Sequence, residues 1–198
     1  EPIPRKYNYL TLAEHCASNG IKGIAKSHFF STVPWAYLAA ANGFDNIYGS
    51  IVLNHYVGGI NPDAVLASLG VEWKGKSCLK MVWMPTLHAK GHIDYRLSSG
   101  SVYDIPEEWC GTLIPKGRKL LTEVKPISIL DPQIKDNLKE LLGIIARNNL
   151  ILATGHLTKT EIEYLIPLSK ELGVEKIVIT HPMYGTAGLT AEDVKLLT

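Results

Sequence analysis

No stretch of the chain stays apolar for the roughly 18 residues that a transmembrane helix needs, so a membrane-spanning role is not expected. Cysteine is scarce. Cys16, Cys78 and Cys110 are odd in number and far apart, which excludes a disulfide framework and a Cys-x-x-Cys metal pair and predicts a reducing cytoplasm. There is no run of like charge and no low-complexity tract, and the net charge of +1 gives no electrostatic case for nucleic acid or an acidic membrane. Neither a Gly-x-Gly-x-x-Gly turn nor a Walker-type loop follows an early strand candidate, so nucleotide-binding folds lose weight. The opening Glu-Pro-Ile-Pro-Arg-Lys is no signal peptide. It also lacks an initiator Met, which predicts a longer parent chain.

What is present has the rhythm of a parallel α/β protein. Asn149-Leu-Ile-Leu-Ala-Thr-Gly-His156 and Glu175-Lys-Ile-Val-Ile-Thr-His181-Pro182 each carry a short apolar run suited to a strand buried on both faces. Between them, apolar residues at 162, 165, 166, 168 and 172 make a helical stripe. Thr158 and Glu161 form a capping box at its start, and Gly173 stops it. This is a β-α-β unit whose two strands both finish in histidine.

Upstream, the pattern predicts helices over 11–19, 33–42, 62–70 and 132–148, with strands over 21–28, 46–54 and 77–84. Residues 120–130 read as a strand or hairpin arm, and residues 93–130 as an irregular insertion or lid over the site. A final helix begins near Thr190. The 198 residues form one domain (1–198), and the strand-helix alternation favours a (β/α) barrel over an open doubly wound sheet. Five strands are evident where a barrel needs eight.

Six of the seven histidines fall at expected C-terminal strand ends: His28, His55, His88, His92, His156 and His181; His15 lies in a helix. Strand C-termini are where parallel α/β folds place chemistry. Neutral imidazole is the commonest zinc ligand, so His28, His92, His156 and His181 are the metal candidates, with His88 a fifth. One or two divalent ions, zinc foremost, would activate water for hydrolysis. Lys26, closing an apolar strand, is a catalytic candidate, as a carbamylated metal bridge or as a Schiff-base amine. No acid stands at a strand end, which leaves Asp94 for the general-base role. Asn54, Gly58, Gly59 and Asn61 form a glycine-rich turn that could shape a substrate loop or be turn chemistry alone.

Taken together, Lys26-Ser-His28, Ile51-Val-Leu-Asn54 with Gly58-Gly59-Ile-Asn61-Pro62, Trp83-Met-Pro-Thr86, Ala153-Thr-Gly-His156-Leu and Thr180-His181-Pro182 resemble a poorly characterised branch of the amidohydrolase-like metal-dependent hydrolases. The resemblance covers nearly all of the chain. It implies a distorted TIM barrel, with His156 and His181 at the metal-ligand positions of the fifth and sixth strands. It further implies that a first strand bearing His-x-His precedes Glu1, and that two strands and an aspartate follow Thr198. In that superfamily the bridging lysine is on the fourth strand, whereas Lys26 would end the second. The expected activity is hydrolysis of an amide, lactone or phosphoester bond of a small molecule, with a homo-oligomer possible in principle. The rival expectations are a Schiff-base lyase or aldolase using Lys26, and a non-catalytic small-molecule-binding barrel.

Overall fold

The computed structural model describes residues 6–106 and 119–197. Helix α1 (Tyr9–Ser18) leads into β1 (Gly23–Ile24), α2 (Val33–Ala41), β2 (Ile47–Val52) and α3 (Pro62–Leu69). A small antiparallel hairpin, β3 (Glu72–Trp73) and β4 (Lys76–Ser77), precedes β5 (Leu79–Trp83) and α4 (Lys90–Ser98). Then come α5 (Lys135–Arg147), β6 (Ile151–Ala153), α6 (Lys159–Glu171), β7 (Lys176–Val178) and α7 (Ala191–Leu197). Helix ends follow the capping chemistry of the sequence. Asn61 accepts from the Ala64 amide, Asp131 from that of Gln133, and Thr158 and Glu161 make both halves of a capping box.

Five strands form one parallel sheet in the order β1-β2-β5-β6-β7. Because each strand is laid beside its predecessor and parallel crossovers are right-handed, the connecting helices collect on one face. Ile51, Leu53, Val82, Met84 and Leu152 point to that face. They share one buried cluster with Val65 of α3, Leu138, Leu142 and Ile145 of α5, and Ile162 and Leu165 of α6. Val52, Trp83, Ala153 and Val178 stand in register across four strands, so alternation turns them to the other face. There Trp83 is half-buried and Val178 is exposed.

The barrel expectation is corrected by this topology. Among the described residues the sheet is open, with β1 and β7 as edges each paired on one side only, whereas a barrel needs every strand paired on both. Three local expectations also change. Residues 93–98 of the supposed irregular region belong to α4, and 120–130 form a short 3-10 turn (Leu121–Glu123) and an irregular strap rather than a strand arm. Pro126 has no amide proton to offer a ladder, and the strap instead makes one bridge, Ala89 to Ile127. The β3-β4 hairpin was not expected; its turn needs Lys74 and Gly75, both with positive φ. Cys110 and the middle of the supposed lid lie outside the described residues.

The close approach of α2 to the sheet depends on one missing side chain. A Cβ on Gly49 would come within 2.5 Å of Val33 Cα, backbone that cannot step aside without moving α2. Gly49→Ala is therefore expected to lower stability by about 2 kcal/mol, in the range of overpacked cores, as read from urea unfolding midpoints at unchanged m-value. An unchanged midpoint would mean that α2 packs more loosely than described.

Candidate functional site

At the C-terminal rim of the sheet, buried hydrogen bonds fix the strand ends before any catalytic group is reached. Asn54, just past β2, is fully buried, and both of its amide donors and both acceptor positions are used. Its Nδ2 donates to the His28 carbonyl (3.0 Å) and to Thr86 Oγ1 (2.9 Å), while Oδ1 accepts from the amides of Thr86 (2.8 Å) and His88 (3.3 Å). This ties the segment after β1 to the ends of β2 and β5. An Asn side chain can make no further bonds, so Asn54 holds the rim and has nothing left for a substrate.

The ends of β6 and β7 are latched in the same manner. The Thr180 amide donates to Thr154 Oγ1 (2.9 Å), and the Gly155 amide to Thr180 Oγ1 (3.2 Å). Gly155 has φ of +61°, and a Cβ there would overlap the carbonyl oxygens of Met84 and Pro85; only glycine fits. The next amide, of His156, donates to the Pro85 carbonyl at 2.9 Å. His181 takes φ of +44°, a left-handed conformation uncommon for a side-chain-bearing residue and often a mark of a functional position.

Three imidazoles then gather around that of His156. Its Nδ1 lies 3.1 Å from Nδ1 of His92 in the first turn of α4. The His28 and His181 rings lie 6.2 and 5.8 Å from it, centroid to centroid. Gly91 allows this approach, since a Cβ there would sit 2.8 Å from Thr158 Cγ2 and 3.2 Å from the His156 carbonyl. His28 Nδ1 is 2.8 Å from Thr86 Oγ1, and Lys26 Nζ is 3.4 Å from His28 Nε2 and 4.7 Å from the Trp83 ring centre. An ammonium offers only protons. The network is therefore satisfied with the His28 proton on Nδ1 and the lone pair on Nε2.

Burial first, then neighbouring positive groups including Lys26, depress the imidazole pKa values: His92 to about 4 and His156 to about 2. Both rings are thus neutral at physiological pH, the state that offers lone pairs to a metal. One of their two facing nitrogens must carry the shared proton, and Nε2 of His92 is buried with no hydrogen-bond partner. Two nitrogens on one tetrahedral zinc stand about 3.3 Å apart, so the 3.1 Å separation fits a ligand pair as well as a hydrogen bond. No three His, Cys, Asp or Glu side chains form a finished metal shell among the described residues. The pair, with one buried nitrogen unspent, is what fits an ion.

The remaining candidates divide. His88 lies in a neighbouring group: its Nδ1 accepts from the His55 amide (3.0 Å), which puts its proton on Nε2, 3.7 Å from Asp104 Oδ2. Asp104 is buried. It accepts from Tyr56 Oη (2.9 Å) and from the amides of Ile105 (2.9 Å) and Lys119 (3.0 Å). Desolvation alone would raise the Asp104 pKa, but these bonds and His88 overcome it and hold the carboxyl below its ordinary value. Asp94 instead makes an exposed pair with Lys90 on α4. Gly58 and Gly59 take positive φ in a tight turn, and Asn61 bonds the Val57 carbonyl while capping α3, which is turn chemistry. Sequence reasoning missed Asp104, Tyr56 and the clamping role of Asn54. The one available signal was an amide side chain closing an apolar run at Leu53-Asn54.

The fold and rim define an open α/β protein with a histidine cluster at the strand C-termini. The chain belongs to the family of unknown function DUF6282, whose pattern matches residues 1–198. No curated protein matches it, and no solved structure does.

Two outcomes follow from the site. Asn54→Ala strands two amides, a carbonyl and a hydroxyl, and is expected to lower stability by about 3 kcal/mol, read from urea unfolding. For metal-free protein in chelator, His92 and His156 have folded pKa values below the unfolded value near 6.5. Below that pH the unfolded chain binds protons that the native rings refuse, so stability is full above about pH 6.5 and falls as pH drops towards 4. The slope approaches about 1.4 kcal/mol per pH unit for each ring. Urea midpoints from pH 7 to 4.5 should show this fall, and His92→Asn with His156→Asn should flatten it.

Proposed function

We propose that the protein is a metal-dependent hydrolase acting on an amide, lactone or phosphoester bond of a small molecule. The observation that carries the reading is the pair of buried, neutral imidazoles of His92 and His156, nitrogens 3.1 Å apart, with His28 and His181 beside them. His92 and His156 would hold a divalent ion, zinc foremost, with His181 as a further ligand. His28, whose Nε2 faces Lys26, would be a ligand once that contact is released or a hydrogen-bonding group beside the ion. Such an ion supplies an acidified water and polarises a carbonyl or phosphoryl oxygen. Lys26, 3.4 Å from His28 Nε2, is placed to offer positive charge to an oxygen that becomes negative during reaction. The Tyr56–Asp104–His88 group buttresses the rim beside them. The likeness of the strand-end motifs to those of amidohydrolase-like hydrolases supports the same chemistry. Among the described residues no helix is long and apolar enough to cross a membrane; with Cys16 and Cys78 as free thiols, we place the reaction in the cytoplasm.

Elemental analysis of purified protein should find bound divalent metal. His92→Ala and His156→Ala should each weaken binding by more than about 100-fold, beyond the ~10–100-fold of changes around a ligand. Hydrolysis of a panel of amides, lactones and phosphoesters should stop in chelator and return with zinc. A metal-free protein whose hydrolysis ignores chelator would overturn the reading. A second reading rests on the closeness of Lys26 to an imidazole able to take its proton: Schiff-base chemistry, for which borohydride with a carbonyl substrate should label Lys26.

A further inference from the structure

At the opposite, N-terminal end of the strands lies a cavity of about 590 Å³, lined by Lys22, Lys80 and Lys176 together with Tyr48, Ile24 and Ile151. It lies far down the strands from the histidines, because β1, β2, β5, β6 and β7 are parallel and both groups sit at strand ends. The face is the one the helices leave uncovered. Ile24 is in register with Tyr48, Ile151 with Lys176, and Lys80 Nζ stands 5.7 Å over the Tyr48 ring.

We propose that this cavity binds a small polyanion, a molecule with two or more phosphate or carboxylate groups on a compact body. The three lysines are rooted on or beside the first, third and fifth strands of the sheet, so their backbones are about 10 Å apart from one to the next. That spacing suits two separated anionic groups better than one. No carboxylate lines the cavity, and among the described residues none of these three ammonium groups makes an ion pair. In a chain of net charge +1, three cations around one hollow are a local excess rather than a share of general basicity.

A competing use for the lysines is to complement the C-terminus of α5, where carbonyls carry partial negative charge. Three of those carbonyls are already met. The amides of Asn148, Asn149 and Leu150 bond the carbonyls of Ile144, Ala146 and Ile145, and the Asn148 side chain doubles the first. Lys176 is partly engaged, donating to Asn149 Oδ1 at 2.6 Å, and Lys80 lies over the Tyr48 ring. Ile24, Ile151 and the Tyr48 ring give an apolar floor for the ligand body, the usual mixture in small-molecule sites.

The test is calorimetric titration of the whole protein with inorganic pyrophosphate, and separately with succinate, at low and at physiological salt. Pyrophosphate should bind one per chain and weaken as salt rises. Lys80→Gln and Lys176→Gln should each reduce affinity at least about tenfold, the loss of one close charge pair, with unchanged melting temperature. Lys139→Gln, on the exposed side of α5, should leave affinity as it was. Succinate binding in place of pyrophosphate would assign the site to carboxylates. No binding of either probe, or an equal loss in Lys139→Gln, would overturn the proposal. The readout is independent of metal and of hydrolysis at the other rim.

Discussion

The rim of this sheet depends on one buried carboxamide. The strands of the parallel sheet are short, from two to six residues, so ladder hydrogen bonds alone hold their ends weakly. Asn54 supplies what they lack, joining the segments after β1, β2 and β5 through four bonds in a site closed to water. An interaction of this kind is all or nothing. Fully made, it fixes three backbones; with one partner removed, buried groups are left unpaired. The His28 ring, held by Thr86, and the His88 ring, whose amide is also held by Asn54, inherit their positions from it.

Much of the secondary structure could be read from residue order. α5 and α6 were legible because their apolar stripes keep helical spacing, because Asp131 caps the 3-10 turn Pro132–Ile134 that leads into α5, and because the Thr158–Glu161 box marks the start of α6. The strands before His156 and His181 were legible as short apolar runs. Sheet closure was not legible. Strand-helix alternation is common to open and closed parallel sheets, and the difference lies in whether β1 meets a partner on its far side, which local pattern does not encode. The β3-β4 hairpin escaped because two-residue strands have no periodicity to detect; its only signal was Lys74-Gly75.

The site was legible by residue type and not by role. Histidines at strand ends were visible, and His28, His92, His156 and His181 do stand together. Sequence gives little to divide His88 from His92, which lie four positions apart and both follow β5. In space the first turns to Asp104 and the second to His156, because α4 begins between them and rotates His92 inward over Gly91. Of the two acids in the same irregular stretch, sequence reasoning names Asp94 for the general base and not Asp104. The bridge between Tyr103 and Leu120 brings Asp104 under Tyr56 and His88, a long-range pairing that no short motif announces. Asn54 looked like a loop residue because asparagine usually is one; burial reverses its meaning.

The two ends of the sheet carry opposite electrostatic characters, and the direction of the chain accounts for both. Where strands end, helices begin: His92 lies in the first turn of α4 and His156 just before α6. Helix N-termini carry partial positive charge, which adds to burial and to Lys26 in disfavouring imidazolium. His92 and His156 are thereby kept neutral, each with a lone pair on one ring nitrogen. Where β1 and β7 begin, α1 and α6 have just ended, and their partial negative charge favours Lys22 and Lys176; Lys80 instead follows the β3-β4 hairpin. Lys22, Lys80 and Lys176 gather at that end, while Lys26 stands beside His28 at the histidine rim. A parallel sheet wound in one direction thus gathers four histidines at one rim and these three lysines at the other.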